Sequence, residues 1–295
     1  MKYKKVMPWV LVAPAIAIFL GLGIFPLVYS LWLSFRSYSL VDPARGNNYV
    51  GLWNYANVLF KQGVVRISFL DSLRLTTIFL GASLSLEVIV GLGGALFFAS
   101  SSSRVMQRVR ILLVSPMLLA PVIVGYMWRY MYQYSFGVVN YILNSIALPS
   151  IEWLTHPTWA MVSLILADVW EWAPFSFLVL LAAILSVPGE QIESARIDGA
   201  GSWKTTTHIV LPWISKALLV VILLRGIELI KNMDLAYSIT LGGPGVSTRL
   251  LSFCSYLLGF KHLEMGQAAA YSFLMLIPMN VFVVFLINTL RRGGK

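Results

Sequence analysis

The sequence predicts an all-α, polytopic membrane protein with six transmembrane helices. Three observations carry that prediction. Hydrophobic residues make up 58% of the 295-residue chain and charged residues only 12%, a balance far from that of water-soluble domains. Six stretches stay predominantly apolar for about 20 residues or more, the length that crosses the hydrocarbon core of a bilayer. The basic residues gather at the ends of those stretches, where they set orientation. On a soluble chain the formal charge of +10 would suggest nucleic acid; in this distribution it implies no nucleic-acid partner.

The spans fall at 9–35, 73–99, 111–132, 159–187, 214–233 and 267–290, joined by polar segments at 36–72, 100–110, 133–158, 188–213 and 234–266. Ahead of the first span, MKYKK resembles the start of a signal peptide. The apolar run from Pro8 to Phe35 exceeds a signal h-region, so a retained first helix is expected. Grouping the amino terminus, the second and fourth connections with Lys216 at the start of the fifth span, and the carboxyl terminus gives one side twelve Lys and Arg residues against six on the other. That side is assigned to the cytoplasm, with both termini. The expected organisation is a first helix and external loop over 1–72, a core over 73–290 and a tail over 291–295. The stretch LLSFCSYLLGF at 250–260 is apolar but about half the length of a span, and reads as an external interfacial or partly re-entrant helix.

Ionisable groups inside spans cost about 2.5 to 3.5 kcal/mol on insertion scales, so each one points to a packed interior or a wet path. In the fourth span Asp168, Glu171 and Phe175 share a face, flanked by Trp170 and Trp172, and Pro174 bends the helix. In the fifth, Arg225, Glu228 and Asn232 share a face, with Lys231 beside them. These faces line a solute path, or Asp168 or Glu171 pairs with Arg225 or Arg129 to hold helices together; the sequence supports both readings. In the second span Ser83, Glu87, Gly91, Ala95 and Ala99 recur every four residues, a smooth stripe for close helix approach. Glu87 on that stripe needs a donor that the sequence does not identify.

Catalysis in this chain is not expected. Cys254 stands alone, and His156, His208 and His262 are scattered over loops, so neither a metal site nor a nucleophile–base pair can be assembled. Gly199 to Thr205 superficially resembles a phosphate-binding loop but has Trp203 where glycine must precede the lysine. No cofactor is expected in this chain.

The polar segment 188–213 reads as a helical hairpin. Pro188 ends the preceding span, Glu190 to Ile197 form a first helix, and Asp198-Gly199 turns the chain. A second short helix is expected from Ser202, as N-cap, to about Ile209, interrupted by Pro212 at the next span. On the other side of the membrane, Gly242-Gly243-Pro244 makes a rigid turn suited to a connection or to an outer-mouth contact.

Glu193-Ser194-Ala195, Asp198-Gly199-Ala200 and Ile209-Val210-Leu211-Pro212 resemble the "EAA" loop of binding-protein-dependent ABC importer permeases. Ser194 replaces the middle alanine of that pattern and Thr206 stands where phenylalanine is usual, with Trp203 the aromatic available instead. Further stretches resemble the carbohydrate-importing branch. They are Val50 to Tyr55, Asp168 to Phe175, Leu185 to Pro188, and Thr240 to Pro244 with Thr248 and Gly266 to Ala270. Coverage runs from about residue 50 to 290.

The resemblance implies a MetI-like permease fold in the cell inner membrane. It implies a second permease subunit, two cytoplasmic ATPases that bind ATP and Mg, an external solute-binding protein and a carbohydrate substrate. It also implies that the hairpin is the coupling element docking the ATPase. The rival reading is an ion- or proton-coupled secondary carrier working without ATPases, which buried acids could serve.

Overall fold

The computed structural model describes residues 3–42, 44, 46–61, 63–99 and 104–292, so residues 293–295 of the expected tail lie outside the described residues. Among the described residues the chain forms helices and turns, with an isolated antiparallel bridge between Arg36 and Tyr49. Helices long and apolar enough to cross a membrane cover Leu11–Ser34, Phe69–Ala99, Pro157–Leu185, Ser202–Thr240 and Met265–Arg291. The expected third span is not one straight helix. Its halves, Arg108–Leu118 and Pro121–Met131, are bent by 97°. Pro121 forces the cause, because the residue before a proline is pushed out of the helical region. Leu119 and Ala120 are accordingly extended, with ψ of 149° and 133°.

In chain order the helices are α1 (Tyr3–Ile18), α2 (Phe25–Ser34), α3 (Trp53–Phe60), α4 (Phe69–Ala99), α5 (Arg104–Val114), α6 (Pro121–Met131) and α7 (Val138–Ser145). They continue with α8 (Pro157–Leu185), α9 (Gly189–Ile197), α10 (Ser202–Thr205), α11 (Leu211–Lys231), α12 (Leu251–Tyr256) and α13 (Met265–Arg292). Two prolines are carried through helices by a wide turn. The π turn Phe19–Ile24 runs up to Pro26 and the π turn Thr206–Val210 up to Pro212. In each, an N–H reaches back five residues, Phe25 to Leu20 and Leu211 to Thr206. Pro212 therefore does not interrupt the helix, contrary to expectation, and α10 runs into α11 as one path.

Contacts divide the chain into two compact units, Met1–Leu70 with Cys254–Ile277, and Asp71–Phe253 with Pro278–Lys295. In the first, Leu11–Ser34 has none of its most apolar window buried. The far end of that helix is tied down by the Val50 to Tyr55 stretch. Asn54 donates to the carbonyls of Ser34 (2.8 Å) and Arg36 (2.9 Å), and the Tyr55 hydroxyl meets that of Ser34 at 2.7 Å. Gly266 is needed for space: a Cβ there would lie 2.1 Å from the Arg36 carbonyl oxygen.

The stretch 250–260, expected as an external interfacial or partly re-entrant helix, forms α12 and the π turn Leu257–Lys261. Leu251, Cys254 and Leu258 on it are buried, and Phe260 at its end is exposed. Its apolar composition matches an enclosed short helix as well as an interfacial one.

The second unit is built on α8, of which 61% of the most apolar window is buried. The expected small-residue stripe of α4 packs here. A Cβ on Gly91 would sit 2.6 Å from the Ser176 Cβ and 2.8 Å from the Phe177 backbone nitrogen. Around this close approach Ala95, Phe98, Phe177, Leu180, Ile184, Val210, Ile214 and Val221 form the apolar core. Gly226 lets α11 approach α13 likewise, since a Cβ would meet the Phe282 ring at 2.2 Å.

Candidate functional site

Three helices of the second unit converge on a buried charge cluster. Arg225 of α11 donates through Nε to Glu87 Oε2 (2.7 Å) and through Nη2 to Glu87 Oε1 (2.9 Å). The same Nη2 donates to Asp168 Oδ2 on α8 at 3.0 Å, and Asn232 donates to Asp168 Oδ1 at 3.0 Å. The guanidinium also lies 4.5 Å from the centre of the Trp172 ring. Arg225 is 3% exposed and both acids are fully buried. Planar bidentate pairing, a second carboxylate and a cation–π contact together satisfy a charge that the apolar interior would otherwise reject. Arg225 is thus the donor that Glu87 required.

The structure brings together Asp168, Trp172, Arg225 and Asn232 from the expected residues and leaves others apart. Glu228 pairs instead with Lys231 at 3.0 Å, and its side chain is 57% exposed. The helix explains this: a step of three residues turns the side chain about 60° away, whereas seven returns it to within about 20°. Arg225 and Asn232 therefore face together and Glu228 does not. Trp170 meets another neighbour, its ring nearly perpendicular to that of Trp128 with centroids 5.7 Å apart. Phe175 is half-buried. Glu171 is fully buried, and neither carboxylate oxygen has a hydrogen-bond partner among the described residues.

The hairpin is built from local rules. At the end of α9 the Gly199 N–H donates to Arg196 and the Ala200 N–H to Ala195, at 3.0 and 2.9 Å, the paired bonds of a Schellman cap. Gly199 adopts φ +78°, which only glycine takes without strain. The DGA portion of the motif is therefore a helix stop. The expected N-cap is displaced by one residue: Gly201 takes the extended dihedrals (φ −70°, ψ 165°) and Ser202 is the first helical residue, with no side-chain cap bond.

Ile197 and Trp203 lie at the tip of the hairpin, 86% and 79% exposed. Glu193, Ser194, Asp198, Gly199 and Pro212 are exposed, and Ala195, Ala200, Ile209 and Leu211 half-buried. A groove of about 700 Å³ runs between the hairpin and the ends of α4 and α8, with Ile192, Arg196 and Thr205 on one wall and Ala99 and Ile184 on the other. The exposed apolar side chains at the tip form a surface that a partner protein can cover.

In the turn after α11, Gly242 is buried at φ +80°, and a Cβ there would lie 2.3 Å from the Phe253 ring. Thr248, fully buried, donates to the Gly243 carbonyl at 2.9 Å and meets the Thr240 hydroxyl at 2.7 Å. Gly243 and Pro244 are half-buried in the turn that results. Sequence reasoning missed Asn140, which is buried and ties its loop together. It donates to the carbonyls of Tyr134 and Ile151 and accepts from Ile151 N–H and Trp153 Nε1. A lone asparagine in a polar connection carries no signal of that role.

Residues 74–293 match the profile of the family described as the binding-protein-dependent transport system inner membrane component. The chain belongs to that family. The permease is 32% identical to the probable ABC transporter permease protein y4oQ of Sinorhizobium fredii, over 97% of this chain and 90% of that one. It is 30% identical to the trehalose/maltose transport system permease protein MalF of Thermococcus litoralis, over 99% and 96%. Among solved structures, a bacterial ABC transporter involved in import of the acidic polysaccharide alginate aligns with a TM-score of 0.84 at 24% identity, covering 99% of each chain. The MetNI methionine ABC transporter aligns at 0.58 over 77% of the permease and 96% of that chain. The two structural matches establish the fold: an all-helical, MetI-like permease.

Proposed function

We propose that this permease is the membrane subunit of an ATP-driven importer that moves a carbohydrate delivered by an external binding protein. The single observation that carries the solute class is full-length similarity to a permease named for trehalose and maltose. Further support comes from relatives named for sulfoquinovosyl glycerol and sn-glycerol-3-phosphate, both 28% identical.

The hairpin 188–213 is the coupling element, with Ile197 and Trp203 inserted into an ATPase on the cytoplasmic face. Two such ATPases hold ATP and Mg, and a second permease completes the passage. Both termini are cytoplasmic, in the inner membrane. The apolar tip and the helix stop at Gly199 support this: a rigid lever must present buried-type side chains to a partner and must not unwind under load. The first helix with its external loop, 1–72, the core, 73–290, and the tail, 291–295, remain the working division.

The solute path is assigned to the α8 face carrying Glu171, Trp172 and Phe175, with Asn232 beside it. Aromatic faces and polar groups there suit a sugar's apolar ring face and hydroxyls. Asp168, Arg225 and Glu87 pin the helices next to that path, while Trp170 and Glu228 are engaged elsewhere. Purification of the native complex in mild detergent tests the assembly: ATPase chains and a second permease are expected in stoichiometric amounts. Uptake into vesicles with a sugar panel tests the solute. A secondary carrier would purify without ATPases and transport without ATP.

A further inference from the structure

We propose that the first unit carries a carbohydrate subsite of its own, a recess for one pyranose ring of the transported sugar outside the spanning helices. This rests on the proposed function for the solute class and for the outward placement of the recess. The recess has a volume of about 680 Å³ and is lined by Arg36, Tyr38, Trp53, Asn57, Glu264 and Gln267, among others. That size falls within the range of small-molecule sites, about 300 to 1,000 Å³.

Its walls are preformed by backbone ties. Val50 N–H donates to the Phe35 carbonyl (2.8 Å), Gly266 N–H to Tyr38 (2.9 Å) and Leu40 N–H to Leu263 (2.9 Å). The Asn54 amide clamps two further carbonyls at the edge, those of Ser34 and Arg36. Arg36 is itself held in place, 4.0 Å over the Trp32 ring and 2.6 Å from the Asn47 carbonyl oxygen. A site whose groups are already ordered loses little entropy on binding.

The lining matches a sugar. Trp53 and Asn57, four residues apart on α3, share a face, and Trp53 is 50% exposed. An indole face covers the C–H side of a pyranose, while the planar amides of Asn57 and Gln267 meet paired hydroxyls as donor and acceptor. Arg36 and Glu264 bring one charge of each sign. The balance favours a neutral polyol over an anion or a cation.

The test uses the complete transporter in nanodiscs, labelled with 5-fluorotryptophan, with the Trp53 fluorine resonance assigned through Trp53→Phe. Maltose, trehalose and raffinose are titrated without binding protein. A saturable shift of the Trp53 resonance is expected with a sugar that the complex takes up. Asn57→Ala and Gln267→Ala are each expected to weaken it about three- to tenfold, the loss of one hydrogen bond.

No shift with any sugar that the same complex transports overturns the subsite and leaves the importer reading standing. A shift produced by sugar-free binding protein and not by sugar also overturns it, making the recess a protein-docking pocket. A complex that transports no sugar overturns the carbohydrate reading itself, and the subsite with it.

Discussion

Arg225 reaches Glu87 across 138 residues of chain and holds both carboxylate oxygens with one guanidinium, at 2.7 and 2.9 Å. Removing the cation leaves two fully buried acids, Glu87 and Asp168, without their counter-charge. Arg225→Met is expected to lower stability by about 3 to 5 kcal/mol, and adding Glu87→Gln and Asp168→Asn to restore part of it. Thermal unfolding followed by size-exclusion chromatography in detergent checks both outcomes. Equal stability of Arg225→Met and the wild type would remove the cluster from the account of the fold.

Asp168 and Glu171 separate in the same experiment. Asp168 has partners on both oxygens, whereas Glu171 has none among the described residues. Asp168→Asn is therefore expected to reduce folded yield. Glu171→Gln keeps shape and volume, and is expected to leave yield unchanged while altering the half-saturating sugar concentration for uptake. A drop in yield for Glu171→Gln, with uptake per molecule unchanged, would place Glu171 in the scaffold.

Gly199 sits at φ +78° with open space around its Cα, so a side chain meets strain and no clash. Gly199→Asn, which tolerates the left-handed region, is expected to retain ATP hydrolysis that responds to loaded binding protein. Gly199→Val costs about 1 to 3 kcal/mol locally and is expected to lose that response. A normal response in Gly199→Val would take the turn out of the coupling mechanism.

Gly91 tests the helix crossing. A Cβ there would sit 2.8 Å from the Phe177 backbone nitrogen, which cannot swing aside as a side chain can. Gly91→Leu is expected to part α4 from α8 and to lower the melting temperature. Gly93→Leu, on the same helix with nothing within 4 Å, is expected to leave it unchanged.

Ile197→Asp with Trp203→Ser removes the apolar tip of the hairpin from a site where neither side chain is buried. Stability of the isolated permease is expected to hold, while the ATPase copurifies at a small fraction of its wild-type level. Retention of the ATPase at wild-type stoichiometry would move its docking site elsewhere.

The hairpin was the most legible part of the chain because its bonds are local. Gly199 bonds to Arg196 and Ala200 to Ala195, within five residues, so the sequence DGA carries its own geometry. Only the N-cap and the effect of Pro212 differed. A π turn absorbs that proline, a solution open to any helix with room to widen. The bend in the third span was written in Ala120-Pro121 but is masked by hydropathy, which measures apolar length and is blind to direction.

The sequence by itself determined the membrane class, the helical content, five of the six apolar spans and the family, because these follow from apolar length, period and local motifs. Only the tertiary structure decided which ionisable groups meet. Helix period brings Arg225 on α11 and Asn232 at its C-cap to one face. It says nothing of Glu87 waiting on α4, or of Lys231 taking Glu228 away. Pairing across helices depends on which backbones can approach, and that was set by glycines such as Gly91, whose missing side chains leave no periodic mark of their partner.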